Sequence, residues 1–284
     1  TEDIYLFYPY DKESELTYVE ALNKYCKKVF PYSRRKNRLA GFTKLWKYPY
    51  TISSRVIMDM EADIKKCIID DGIDIINVDF PHMYACLEKM KLTVPIVLNE
   101  HNIEWKVYRT IARSHKSFPK KMAYYIDSFR LKHYEKRLFR RQEFSRVTFV
   151  SSKDMAYMVN NGYVDKKNAT LIPVGADIHN SNGINHSGTN IVFVGKMSYG
   201  PNIEAVSWFT KEVLPRLIES NKFADITFYI VGKDPTDDVW QLASEHVVVT
   251  GIVDDVSEYY NLADLVVLPL KNGGGVKVKL LEAI

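Results

Sequence analysis

Near the end of the chain an apolar run, LVVLPL at 265–270, leads into Lys271-Asn272-Gly273-Gly274-Gly275, and Val276, Lys277, Lys279 and Glu282 follow in a helical pattern. Glycines let backbone amides approach a ligand closely, and a helix beginning behind them adds partial positive charge. A loop of this kind suits a phosphate or diphosphate. Lys279 and Glu282 are three residues apart and so share a helix face. A cation there can meet phosphate while the carboxylate accepts from ribose hydroxyls. A glycine turn beside a surface Lys–Glu pair is the plainer alternative, and local physics weighs the two evenly.

Other reactive side chains are less specific. His101 follows the run VPIVLNE, at a predicted strand end, which is where ligands of open α/β sheets lie. Taken alone, a hydrogen-bonded structural histidine is the commoner outcome. His82, after Asp79-Phe80-Pro81, reads as structural or as part of an acceptor site. Asp254-Asp255 reads as a helix start. No Asp-x-Asp closes a strand, so neither a divalent metal nor another cofactor is expected. GxSxG, HExxH and GxxxxGK[ST] are all absent. Cys26, Cys67 and Cys86 are widely spaced with no CxxC, which argues against a disulfide framework or zinc site and suits a reducing compartment.

These residues sit in an alternating pattern. Strands are predicted at 4–8, 73–79, 94–99, 147–150 and 169–172, with helices at 13–28, 82–91 and 120–146. In the last of these, Met122, Tyr125, Ile126, Phe129, Tyr134 and Leu138 recur at helical spacing. The second half predicts strands at 191–194, 226–231, 247–250 and 265–270, with helices at 203–220, 256–262 and from 276. Apolar strands alternating with helices describe parallel α/β sheets. The polar run DIHNSNGINHSGT is the best linker. The expected organisation is α/β, two Rossmann-like parallel-sheet domains: 1–176, a linker at 177–189, and 190–284. At 284 residues the chain is long enough for both to bury a core.

Several ordered motifs resemble the retaining, two-Rossmann-domain (GT-B type) glycosyltransferases of family 4. The strand, Pro, glycine loop and Leu-Glu-Ala helix at 265–283 look like the family's nucleotide-sugar loop. IVFVGKMSYGPN at 191–202 is similar to the strand opening the second domain, and Lys196 stands where a basic residue touches the donor diphosphate. FYIVG at 228–232 and VVTG at 248–251, followed by Ile252 and Val253, resemble the next strands and the turn that holds the base. TFVSSKD and LIPVGAD resemble the end of the first domain. NEHNIE at 99–104 resembles the segment that places a histidine, here His101, beside the reacting sugar. The resemblance covers the chain from about residue 73 onward, and more loosely before it.

It implies a GT-B-like chain whose two domains face across a cleft, moving a sugar from a nucleoside diphosphate sugar to an acceptor hydroxyl with retention. Lys196, Lys279 and the amides of Gly273, Gly274, Gly275 and Val276 would hold the diphosphate, Glu282 the ribose, Ile252 and Val253 the base. The pattern also departs from the family. Many members carry a glutamate where Gly274 stands, and a second phosphate lysine where Pro201 stands, which leaves Lys279 as the second cation. The family's opening strand with its glycine-rich turn and its closing elements have no counterpart. The chain is thus expected to be truncated at both ends and inactive alone.

Charge is uneven. Lys and Arg exceed Asp and Glu by ten in residues 1–175 and fall short by six in 176–284. Residues 34–47 carry Arg34, Arg35, Lys36, Arg38, Lys44 and Lys47 among Phe42 and Trp46. Residues 130–146 add seven basic side chains, from Arg130 to Arg146. Asymmetry of this kind points to a partner surface. The expected partners are a nucleotide sugar, a carbohydrate or lipid-linked acceptor, and a membrane surface met through these two stretches. No nucleic-acid motif accompanies them. No apolar run approaches the roughly 20 residues of a span, so a cytoplasmic protein, peripheral on the inner membrane face and serving polysaccharide or glycolipid assembly, is expected. The alternative is an inactive GT-B-like module that binds a membrane or a protein partner.

Overall fold

A computed structural model of the chain describes residues 3–34, 44–57, 59–115, 117–141, 143–175, 189–220, 225–271 and 278–283. It divides into two compact units, Thr1–Pro173 and Val174–Ile284.

The first unit opens with a parallel ribbon. β1 (Tyr5–Tyr10) pairs with β2 (Lys28–Ser33), and α1 (Thr17–Leu22) lies between them in the chain. Pro9 and Pro31 both sit in this ribbon, opposite Tyr32 and Tyr8. Proline has no N–H for a ladder and is at home where strands have a free edge. Two helices follow, α2 (Tyr50–Ser53) and α3 (Met60–Asp70). A four-stranded parallel sheet is then built from β3 (Ile76–Asp79), β4 (Ile96–Glu100), β5 (Arg146–Phe149) and β6 (Ala169–Leu171), in that order. Between β4 and β5 the chain forms α4 (Glu104–Ser114) and the long α5 (Phe118–Arg140), which pack together. α6 (Ser152–Asn160) follows β5, and Ser151 caps it by accepting the Asp154 N–H at 3.3 Å.

Leu98 and Phe149, on neighbouring central strands, are fully buried with Ile103, Leu131, Leu138 and Met158. Each such side chain contributes about 1.5–3 kcal/mol on burial. α5 is tied in by charge as well. Its buried Asp127 accepts from the Tyr50 N–H (2.6 Å), the Thr51 N–H (3.0 Å) and the Thr51 hydroxyl, and so closes the start of α2.

The second unit has a parallel sheet of order β10-β7-β8-β9, formed by β7 (Asn190–Val194), β8 (Thr227–Val231), β9 (Val247–Gly251) and β10 (Leu265–Val266). Ile191 through Val194 are all buried, as a strand covered on both faces requires. Its helices are α7 (Gly200–Trp208), α8 (Leu214–Glu219), α9 (Asp237–Trp240), α10 (Ser257–Leu262) and α11 (Val278–Glu282). A π turn, Phe209–Val213, joins α7 to α8. Pro215 follows directly, and without an N–H it cannot continue the regular ladder.

Local patterns mislead in several places. The helix predicted at 82–91 is only a short 3-10 turn, Met83–Cys86, with Tyr84, Ala85 and Cys86 buried in succession. The helix predicted at 13–28 ends at Leu22, because Lys28 begins β2. The long helix stops at Arg140, since Arg146 already pairs with Val97. The pattern predicts no strand at β2 and no helix at α3, α4 or α6.

Candidate functional site

In the second unit, β7 ends at Val194 and hands on to Gly195. The Gly195 N–H donates to the Val231 carbonyl at 2.9 Å. Beside it Gly232 has φ +141°, and a Cβ there would lie 2.0 Å from the Gly195 carbonyl oxygen. Only glycine lets the two strand ends come this close. A Cβ on Gly195 would lie 2.7 Å from the Asn202 side-chain nitrogen and 2.8 Å from Lys279 Nζ. The missing side chain thus makes the seat for an amide and an ammonium.

Asn202 connects them. Buried in the first turn of α7, it donates Nδ2–H to the Lys196 carbonyl (2.9 Å) and accepts from Lys279 Nζ at 3.2 Å. The ammonium also lies 4.4 Å from the Phe193 ring centre, within cation–π range. Lys279 therefore comes from α11 to the end of the central strand, where Asn202 and Phe193 hold its ammonium. Three residues on, Glu282 accepts from the Tyr260 hydroxyl at 3.3 Å. That phenol titrates above its ordinary range, chiefly through burial and then through the Glu282 charge.

The other expected residues fall out unevenly. Lys196 pairs with Asp234 at 3.4 Å, both side chains half exposed, so its charge is open to solvent. Asp234 adopts a left-handed backbone, φ 58°. Ile252 is 79% exposed just past β9, whereas Val253 packs inward against Val192, Val194, Val231 and Ala263. Gly273, Gly274, Gly275 and Val276 lie outside the described residues. Asn202 and Tyr260 carry no expected role, though Asn202 had a legible sign. It sits with Ala205 and Val206 on the buried face of α7, a polar residue in an apolar stripe.

The first unit also gathers polar groups at its strand ends. Asp79, Asn99 and Thr148 are in register across β3, β4 and β5. Thr148 donates to Asn99 Oδ1 at 2.7 Å, and Asn99 Nδ2 donates to Asp79 Oδ1 at 2.8 Å. His101 brings Nε2 to 3.5 Å from the same Asp79 oxygen and stacks on Phe80 at 4.4 Å. Phe80 holds φ 69°, a conformation rare for a bulky residue. His82 also stacks on Phe80, at 5.1 Å, and its Nδ1 is buried without a partner. Burial, then the charges of Arg55 and Arg34, pull its imidazole down to about 3.

Behind this row lies an acid cluster that the sequence pattern does not announce. Glu100 and Glu135 are buried, both Glu100 oxygens are unpartnered, and Glu135 accepts only the Trp105 N–H at 3.3 Å. Burial first, and neighbouring carboxylates next, push both well above the ordinary carboxylate range. Glu104 rises too, mainly through burial. The protonated, neutral form is the one favoured here. Among the described residues no set of three His, Cys, Asp or Glu side chains could hold a metal ion.

Residues 188–284 match the family model of Glycosyl transferases group 1. The sequence is 20% identical over 295 residues to an "Uncharacterized 44.6 kDa protein in cps region" of Klebsiella pneumoniae, covering 99% of this chain and 72% of that one. In structure it is similar to TarM, with TM-score 0.53 and 15% identity over 74% of this chain and 38% of that one. It is also similar to a trehalose-6-phosphate synthase, with TM-score 0.56 and 12% identity over 98% and 80%. The chain thus spans well under half of TarM. In fold it is like these proteins, an α/β chain of GT-B type with parallel sheets, and its residues 188–284 match the group 1 glycosyl transferases.

Proposed function

We propose that the protein of which this chain is part moves a sugar from a nucleoside diphosphate sugar to an acceptor hydroxyl, with retention, in polysaccharide or glycolipid assembly. The observation that carries the reading is the Lys279 ammonium seated at the β7 end by Gly195, Asn202 and Phe193. A family of sugar-transferring enzymes matches this same unit. Glycosyl transfer passes through an oxocarbenium-like state while negative charge builds on the departing diphosphate. Fixed cations and aligned backbone dipoles on that leaving group lower the barrier more than a strong base would.

In this reading Lys279 meets the diphosphate directly, and Lys196 adds a second, more mobile charge. Gly273, Gly274, Gly275 and Val276 supply backbone amides. Glu282, oriented by Tyr260, accepts from the ribose, and Ile252 and Val253 border the base. His101, held by Asp79 and Phe80, contacts the donor sugar or positions the acceptor, which is carbohydrate or lipid-linked. Retention rests on the family resemblance, and the trehalose-6-phosphate synthase is itself described in terms of glycosyl transfer with retention. The polysaccharide role is supported by the cps-region relative. The two lysines provide the positive charge, so the reading includes no metal or other cofactor.

The test is calorimetric titration of the chain with UDP and GDP, alone and with a chelator. Saturable binding of one nucleotide, unchanged by the chelator and weakened roughly 10–100-fold in Lys279→Ala, is expected for loss of a charge-assisted contact. Glu282→Ala should weaken it less. A folded chain that binds neither nucleotide, or a Lys279→Ala variant that binds normally, would overturn the reading.

A further inference from the structure

The apolar positions along α5 form one helical pattern in sequence, and the structure splits them. Tyr134 and Leu138 are buried, whereas Phe118 (73%), Met122 (43%), Ile126 (58%) and Phe129 (66%) are exposed. At 3.6 residues per turn the exposed four fall within about 80° of arc and run about 16 Å along the helix. This is a continuous stripe on the side opposite Asp127, Leu131 and Leu138, and isolated exposed apolar residues need no explanation but a stripe does.

Charge along the same helix points to what covers the stripe. α5 has two carboxylates, Asp127 and Glu135, and both are buried. Its outer face continues past Phe129 with His133, Lys136 and Arg140, all exposed. The exposed surface of α5 is therefore apolar and basic with no acid. Arg130 donates to the carbonyls of Leu45 and Tyr48 and so holds against α5 the segment bearing Trp46, which is 85% exposed. Large apolar side chains beside lysine and arginine on a surface helix are what an interfacial helix presents to lipid.

We propose that this face of α5 docks on an anionic lipid bilayer. Phe118, Met122, Ile126 and Phe129 enter the headgroup boundary, and Lys136 and Arg140 meet lipid phosphates. The surface differs from the one read out of basic composition alone. Of the stretch 130–146, Arg130 is turned inward and Arg137 and Arg141 pair with buried Glu88 at 3.5 and 3.1 Å. Residues 35–43 of the other stretch lie outside the described residues. Among the described residues no helix is long and apolar enough to cross a membrane. The inference is independent of the donor site and stands or falls without it.

The test is flotation of the whole chain with phosphatidylcholine vesicles, with and without phosphatidylglycerol. Ile126→Ser/Phe129→Ser and Lys136→Glu/Arg140→Glu are compared with wild type, each first checked for native circular dichroism. All four positions are exposed, so folding should survive. Wild type should float with the anionic vesicles and lose binding as salt rises. Each double variant should lose at least about tenfold in partition. No flotation of wild type, or undiminished flotation of both variants, overturns the proposal. So does a wild-type dimer that Ile126→Ser/Phe129→Ser turns into monomers, because the stripe would then be a contact between copies.

Discussion

The two units use one architecture for opposite electrostatics. Each has a four-stranded parallel sheet with polar residues at its C-terminal strand ends. In the second unit those ends are glycine and lysine: Gly195 and Gly232 bring the backbones together, and the Lys279 ammonium fills the space. In the first they are Asp79, Asn99 and Thr148 in a hydrogen-bonded row, with His101 above and a buried carboxyl pair behind. One end presents an ammonium seated against close-packed backbone. The other presents a hydrogen-bonded polar row and a stacked histidine ring. A parallel sheet thus supplies the place for a ligand, and the residues just past each strand decide its charge.

The largest effect that would break this contrast is expected at Gly232. Gly232→Ala puts a methyl 2.0 Å from the Gly195 carbonyl at a backbone angle disfavoured for any side chain. Two packed strand ends must separate, and a loss of about 3 kcal/mol or more is expected by denaturant titration, with nucleotide binding lost as well. A tolerated alanine would show that the close approach is not needed.

The next concerns the first unit's acids. Glu100 and Glu135 titrate above their ordinary value of 4.5 when folded. The unfolded chain releases these protons as pH rises past that value while the folded chain keeps them. Their contribution to stability is therefore full below about 4.5 and is lost as pH rises toward the folded values. Glu135→Gln keeps an acceptor for Trp105 and removes the titration, so it should raise the melting temperature at pH 8 more than at pH 5. His82 acts in the reverse sense. Its imidazole, pulled down to about 3, costs stability as pH falls below 6.5. Wild type and variant both carry His82, so its effect cancels in their difference at each pH and the glutamates are isolated. A flat difference between pH 5 and pH 8 would mean the pair is ionised and solvated.

The smallest effect sharpens the roles of the two lysines. Lys196 is half exposed and shares its charge with Asp234, so Lys196→Ala should weaken nucleotide binding only a few-fold, about 1 kcal/mol or less. Lys279→Ala should cost far more. Equal losses would mean that Lys196 leaves Asp234 when the nucleotide arrives.

Much of this was legible in the chain. The strands of both four-stranded sheets read from their apolar runs, though β10 ends at Val266 where the predicted strand continues to Leu270. Lys279 and Glu282 stood out by helical spacing behind a glycine loop, whereas the seat that Gly195 makes was not read. β2 was hidden because Pro31 interrupts its pattern, and α4 because it lies close before α5 with no glycine or proline between. The roles of Asn202 and Tyr260 were hidden because one asparagine or one tyrosine looks the same in sequence whether it faces water or an ammonium.

By itself, then, the sequence determined the alternation of parallel strands and helices and the residue types available at each strand end. These depend on local propensity and periodicity, which are properties of neighbours in the chain. Tertiary structure alone decided that Lys279 reaches Gly195, 84 positions earlier in the numbering. It also decided that Glu100 and Glu135 are hidden from water, and that the apolar pattern of α5 is buried at one end and bare at the other. Burial and contact depend on what packs from elsewhere in the chain, and a periodic pattern states only which face a helix could bury.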